Sequence, residues 1–349
     1  MVQAFLKKVI YGLGVMLGVV VLVFFLFQGL GDPTRLMIGQ TGDQKTIQQM
    51  QKEWGLDKPL HQQFFHYLKD LSPIAVYSSS ELESSNMSVI YSVGSEKRLI
   101  IKWPYLRSSY QSKQPVASLI TSALLPTFLL AGVAMLFAII IGILLGCVAA
   151  IYKHTWIDRA SIMVSVLGIS APSFFIGLVV AYLFGFVWNS WTGLSMTGSL
   201  YEIDAITGKT IHWKNIVLPA ITLGVRPLAI ITQITRSSML QVMEQDFIRT
   251  AYSKGLTTFQ VVKKHALRNA LNPVITSITG WFAELLAGAF FVEYIFGWQG
   301  LGKLTVDALE KLDFPVVMGC ILLAAAIFVV VQWIADLLYA VVDPRIEIR

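Results

Sequence analysis

Apolar residues in this chain fall in long, uninterrupted runs, unlike the spaced stripes of water-soluble helices. A helix that crosses a bilayer needs ~20 mostly apolar residues. Six stretches provide that length: 9–30, one span within 114–152, one within 160–201, then 215–239, 273–296 and 314–339. The first run follows Lys7 and Lys8. A positive start ahead of an apolar run also describes a signal peptide, but this run exceeds a typical apolar signal region and lacks a small-x-small cleavage site, so it reads as an uncleaved span. Trp188 and Trp191 close the third run as interfacial aromatics. The long polar stretch 31–114 follows the first run. Within it, Ile47, Met50, Trp54, Phe64, Phe65 and Leu68 recur at helical spacing, and Gly55 and Pro59 divide them into two short helices. Strand-like pieces follow at 88–93 and 99–103. The pattern predicts an all-α polytopic membrane protein of six transmembrane helices: an N-terminal helix at 1–30, an external subdomain at 31–114, and a five-helix core at 115–349.

Composition sharpens this picture. Of 349 residues, 55% are hydrophobic and 14% charged, against about 25% charged in a soluble domain. The chain lacks the polar residues to cover a water-facing surface, which excludes a soluble enzyme, a disordered regulator and a nucleic-acid binder. The net charge of +6 sits mostly between apolar runs. Lys7, Lys8, Lys153, Arg159, the basic stretch 249–268, Arg345 and Arg349 all fall on one side of a six-span arrangement. The positive-inside rule makes that side, and both termini, cytoplasmic. Cys147 and Cys320 lie within apolar runs and read as small buried hydrophobes. His61 and His66 are five apart with no carboxylate cluster around them, so no metal site is expected.

The loop between the fourth and fifth runs, 244–273, carries the densest signals. Glu244 and Asp246 suit a helix start, Lys254 and Gly255 its end, and Thr257 with Gln260 a capping box opening a second helix. That helix is expected to stop near Leu271, before Pro273, with Phe259, Val262 and Ala266 on one face and Lys263, Lys264 and Arg268 elsewhere. The product is a short helical hairpin lying across the membrane surface. Its residues leave two roles open: contact with anionic headgroups, or docking of a cytoplasmic partner.

Here the sequence resembles a known family. Arg249-Thr-Ala-Tyr-Ser-Lys-Gly255 is similar to the EAA loop of ABC importer permeases, in the dipeptide/oligopeptide/nickel branch. Gly31-Asp-Pro33, Gly55-Leu-Asp-Lys-Pro59, Leu218-Pro-Ala-Ile-Thr-Leu223, Arg236-Ser-Ser-Met-Leu240, His265-Ala-Leu-Arg-Asn-Ala-Leu271, Glu293-Tyr-Ile-Phe-Gly297 and Asp343-Pro-Arg345 resemble the same branch, in order. Departures are Arg249 for Glu, Gln233 for Arg, and Gln299 for Pro. The stretch 71–113 is also longer than in common members.

The resemblance implies a permease subunit of the cytoplasmic (inner) membrane, paired with a second homologous permease. Two cytoplasmic subunits would bind ATP and Mg, and an extracytoplasmic protein would bind substrate. This chain would hold no cofactor and hydrolyse nothing. Docking and coupling fall to Arg249, Thr250, Ala251 and Gly255, flanked by Leu256, Lys263 and His265. The implied cargo is short peptides, with nickel or another small solute as the alternative. A stand-alone secondary transporter is the competing class; it predicts inverted repeats and discontinuous helices, which the sequence does not display. Thr207-Gly-Lys-Thr210 resembles the tail of a phosphate-binding loop, but Ile203 stands where the first Gly is needed. Ionisable groups at membrane depth cost at least ~2.5–3.5 kcal/mol unless paired or hydrated. Glu284, Arg226 and Glu293 are therefore candidate pathway residues, with pairing of Glu284 to Arg226 or a structural role for Glu293 as the plainer readings. Arg236 is expected to snorkel or to pair across spans.

Overall fold

The computed structural model describes residues 2–29, 34, 44–78, 89–93, 97–204 and 208–342. The motif segments 31–33 and 343–345, and Thr207 of the phosphate-loop resemblance, lie outside them. In chain order the elements are α1 (Val2–Gly29), α2 (Gln44–Trp54), α3 (Leu60–Leu71), β1 (Ile74–Ser78), β2 (Val89–Val93), β3 (Lys97–Lys102), α4 (Val116–Ile151), α5 (Trp156–Ser170), α6 (Ser173–Tyr182) and the short α7 (Asn189–Thr192). There follow β4 (Tyr201–Asp204), β5 (Gly208–Ile211), α8 (Val217–Met243), α9 (Asp246–Ser253), α10 (Thr258–Val261), α11 (Leu267–Gly288), α12 (Phe290–Phe296), α13 (Leu301–Glu310) and α14 (Phe314–Val342).

Four helical stretches are long and apolar enough to cross a bilayer: Leu6–Phe27, Val116–Ile151, Trp213–Met243 and Phe314–Ile334. Two bent pairs, Trp156–Ser170 with Ser173–Val187 and Thr258–Leu286 with Phe290–Phe296, bring the number to six if each pair is one span. The third apolar run is therefore not one straight helix. Pro172 forces Ala171 into an extended conformation (φ −77°, ψ 135°), and the two halves meet at 109°. Pro126, Pro227 and Pro273, by contrast, lie inside continuous helices. Membrane helices tolerate such prolines where neighbouring helices, Ser/Thr side chains or local π adjustments re-satisfy the freed backbone groups. The helix expected to stop before Pro273 instead continues, through a π-helical turn at Val262–Ala266, into α11.

The chain divides into two compact units. One comprises Gly14–Ser122 and Leu304–Leu323. In it, α3 lays Phe64 and Tyr67 on Phe24 of α1, with ring centroids 5.1 and 6.2 Å apart. An antiparallel sheet in the order β1-β3-β2 follows. Its inner face buries Ala75, Tyr77 and Ile100, and Lys102 Nζ donates to the Asp70 carbonyl at 2.6 Å. The outer face exposes Ile74, Val76, Leu99 and Ile101. Strands β2 and β3 were legible as strand-like pieces; β1 was not.

The other unit comprises Met1–Leu13, Ala123–Lys303 and Ala324–Arg349. Helix α8 is its centre, with Ala220, Leu223 and Ile231 in a core shared by Leu130, Ala134, Leu285 and Phe296. Gly142 and Gly146 let α4 and α8 touch backbone to backbone. A Cβ at 146 would lie 2.6 Å from Thr235 Cβ and 2.7 Å from the Thr232 carbonyl oxygen. The hairpin β4–β5, absent from the sequence pattern, pairs Tyr201 with Ile211 and Asp204 with Gly208.

Candidate functional site

The hairpin at 246–266 has one anchored face and one open face. Ile248, Ala251, Val261, Val262 and Ala266 are buried together with Ala150, Met239 and Ala270. The other side exposes Phe247, Arg249, Thr250, Tyr252, Phe259 and Lys263. Phe259 is thus not on the buried face with Val262 and Ala266: it is 72% exposed, while the adjacent Val261 and Val262 turn inward instead.

The turn between α9 and α10 is built from its sequence. Gly255 has φ +79°, and its N–H donates to Tyr252 O while Leu256 N–H donates to Ala251 O. This is a Schellman closure with glycine in the left-handed position. Thr257 then opens α10 by a reciprocal box: Gln260 N–H donates to Thr257 Oγ1 and Thr257 N–H donates to Gln260 Oε1. Of the residues assigned to coupling, Arg249, Thr250, Gly255 and Lys263 are exposed, Leu256 and His265 are half-buried, and Ala251 belongs to the anchor. Space above Gly255 is open, since a Cβ there meets nothing within 4 Å.

An ion pair stands behind the hairpin. Arg236 Nε and NH2 donate to the two oxygens of Asp158 at 2.5 and 2.8 Å, and His154 N–H donates to the same carboxylate at 3.0 Å. Asp158 is buried. The bond joins α5 to α8, which settles how Arg236 is accommodated. Asp158 had not stood out in the sequence; its place just after the basic Lys153–His154 break was the available signal.

The three candidate pathway residues separate. Glu293 is wholly buried in α12 and accepts from Thr127 Oγ1 (2.7 Å), Gly302 N–H (2.6 Å) and Lys303 N–H (3.2 Å). It caps the start of α13 and ties it to α4; Trp298 Nε1 reinforces the tie by donating to Pro126 O at 3.0 Å. Arg226 and Glu284 are both exposed, and among the described residues neither forms an ion pair, so the anticipated Glu284–Arg226 pair is not formed. Glu284 ends an exposed row of four residues on α11: Asn272, Thr276, Gly280 and Glu284, each four apart and so on one helix face. Among the described residues no three His, Cys, Asp or Glu side chains gather as a metal site.

Helices long and apolar enough to cross a bilayer four to six times define a polytopic membrane protein. Residues 142–348 match the family model of the binding-protein-dependent transport system inner membrane component, and residues 1–131 match the N-terminal domain that accompanies it. The chain belongs to this family. It is 33% identical over 350 residues to the glutathione transport system permease protein GsiC of Pectobacterium atrosepticum, covering 100% of both chains. It is 34% identical over 344 residues to GsiC of Escherichia coli K12, covering 98% of each. Among solved structures, an inward-facing form of the MetNI methionine ABC transporter shares the fold at 17% identity and a TM-score of 0.51, over 65% of this chain and 97% of that one. The chain is therefore the permease component of an ABC importer in the inner membrane. Its family implies an ATPase and a substrate-binding protein as partners, and it is the permease subunit, not itself an enzyme.

Proposed function

We propose that the chain forms one half of the pathway by which an ABC importer carries short peptides into the cell, paired with a second permease. The observation that carries this reading is the end-to-end similarity to permeases named for glutathione, itself a tripeptide. Each bent pair counts as one span, giving six, with both termini and the 246–266 hairpin cytoplasmic and residues 31–114 outside. Arg249, Thr250 and Lys263 meet the ATPase on the hairpin's open face, with Phe259 beside them. Ala251 and Leu256 anchor the element, Gly255 admits the partner's backbone closely, and His265 sits at the margin. The row from Asn272 to Glu284 faces the pathway, because an exposed carboxylate on a membrane helix needs water or a partner. ATP-driven closure of the ATPases then tilts the permease halves between inward and outward openings.

The test is reconstitution of the complete transporter in vesicles, with uptake of glutathione and a dipeptide followed alongside ATPase activity. Peptide-stimulated ATP hydrolysis with uptake is expected for the native chain. Phe259→Asp with Arg249→Glu is expected to abolish both while the chain still inserts. Undiminished uptake by that variant would remove the hairpin from the mechanism, and uptake without ATP would remove the importer reading.

A further inference from the structure

The unit formed by Gly14–Ser122 and Leu304–Leu323 holds a half-open pocket of about 690 Å³, apart from the hairpin and the polar row. Small-molecule sites span about 300–1,000 Å³. Its floor is apolar, made by Phe27 at the end of α1 and Phe314 at the start of α14, with ring centroids 4.9 Å apart. One wall is Trp54 stacked on Tyr110, at 3.8 Å and 7° between planes.

The rim carries three ammonium groups and one carboxylate: Lys52, Lys58, Lys113 and Asp57. Lys113 Nζ lies 5.3 Å over the Trp54 ring, and Lys58 Nζ lies 3.4 Å from His66 Nε2. Among the described residues none of these four rim groups forms an ion pair. The deeper cation, Arg107, is already neutralised by Asp70 at 2.9 Å. The loop bearing Tyr110 and Lys113 is held in place: Tyr110 N–H donates to Asp313 at 2.9 Å, Ser109 Oγ also donates to Asp313, and Val116 N–H returns to Arg107 O at 3.0 Å. The charged rim is thus mounted on a built frame.

Three ammonium groups against one carboxylate, none of them neutralised by an ion pair among the described residues, are complementary to a molecule with more carboxylates than amines. The stacked aromatic wall and apolar floor add a place for an apolar side chain. We propose that this cavity is a binding site for acidic short peptides with free termini. Their carboxylates would meet Lys52, Lys58 and Lys113, their α-ammonium Asp57, and an apolar side chain Trp54 and Tyr110. The proposal rests on the peptide-import reading and assigns that cargo a second place on this chain.

The full-length chain in phosphatidylcholine nanodiscs is titrated by calorimetry with Phe-Ala-Glu and with Phe-Ala-Gln amide. The acidic peptide is expected to bind at least about tenfold more tightly. Lys58→Gln with Lys113→Gln, both exposed positions, is expected to erase that preference, and Trp54→Ala to weaken both peptides. Equal affinity for the two peptides, an unchanged preference in the double variant, or the absence of binding each overturns the site. So does displacement of the peptide by phosphatidylglycerol included in the disc, which would assign the cavity to lipid. Uptake of Phe-Ala-Glu by the assembled transporter without binding to this chain overturns the cavity alone. Failure of all peptide uptake overturns the transport reading beneath it.

Discussion

Two carboxylates show how far a single residue's role depends on what surrounds it. Glu293 spends its lone pairs on Thr127, Gly302 and Lys303, so its carboxylate replaces the backbone acceptors that the first turn of α13 lacks. Glu293→Gln puts an amide donor against those donors. It is expected to lower stability by about 1–3 kcal/mol, the usual cost of an unmet buried hydrogen-bonding group, read as an earlier thermal transition in detergent. Asp158 is held instead by a two-point guanidinium contact. Arg236→Ala leaves that acid buried and unpaired, at an expected cost of about 3–5 kcal/mol. Asp158→Ala added to it should recover much of the loss, and a double-mutant cycle on thermal stability measures this; a purely additive cycle would deny the coupling. Arg236 was conspicuous in the sequence because a charge inside an apolar run demands an explanation. Its partner lies 78 residues away, and no local pattern names a partner at that distance.

At the scale of elements, the sequence was most legible where local chemistry decides. The Gly255 closure and the Thr257–Gln260 box could be written from residue types alone, because each is satisfied within five residues. Gly255→Asn, which tolerates a left-handed backbone, is expected to keep the hairpin folded, whereas Gly255→Val strains it. Protease accessibility of the hairpin compares the two directly: protection in Gly255→Asn and cleavage in Gly255→Val is expected. Loss of ATPase coupling in the folded Gly255→Asn chain would then report close approach of the partner rather than a broken turn. Prolines were less legible. Pro172 and Pro273 read alike in a sequence, yet one ends a helix and the other rides inside one, since surrounding packing and solvent decide the outcome. Strands β4 and β5, four residues each, have too few alternations to set a period; β1 is as long as β2 but its Ile74-Ala-Val-Tyr77 run does not alternate polar with apolar.

The whole molecule was legible as a membrane protein from its apolar runs, which nothing soluble would tolerate. The division into two units was not, since one unit joins Gly14–Ser122 to the distant Leu304–Leu323. Asp313 supplies part of that join, accepting from Ser109 and Tyr110. The proposed arrangement of six spans with both ends inside predicts that a membrane-impermeant thiol reagent applied to intact cells labels cysteines placed at Gln62 or Gln111. Cysteines at Gln3 or Ser253 should react only after lysis. Labelling of the Gln3 position in intact cells would overturn the cytoplasmic placement of the N-terminal end.

The passage of one helix through Pro273 carries a mechanical consequence. From Thr258 to Leu286 the helical stretch is one element, roughly 40 Å long at about 1.5 Å per residue. Moved as one body, such a rod carries a small rotation at one end to the other. A pivot of about 5° at the hairpin end would sweep the far end by roughly 3–4 Å, comparable to the width of a water molecule. The hairpin and the polar row ending in Glu284 are then two ends of one lever, so a gate could be worked from its handle with no message relayed between side chains.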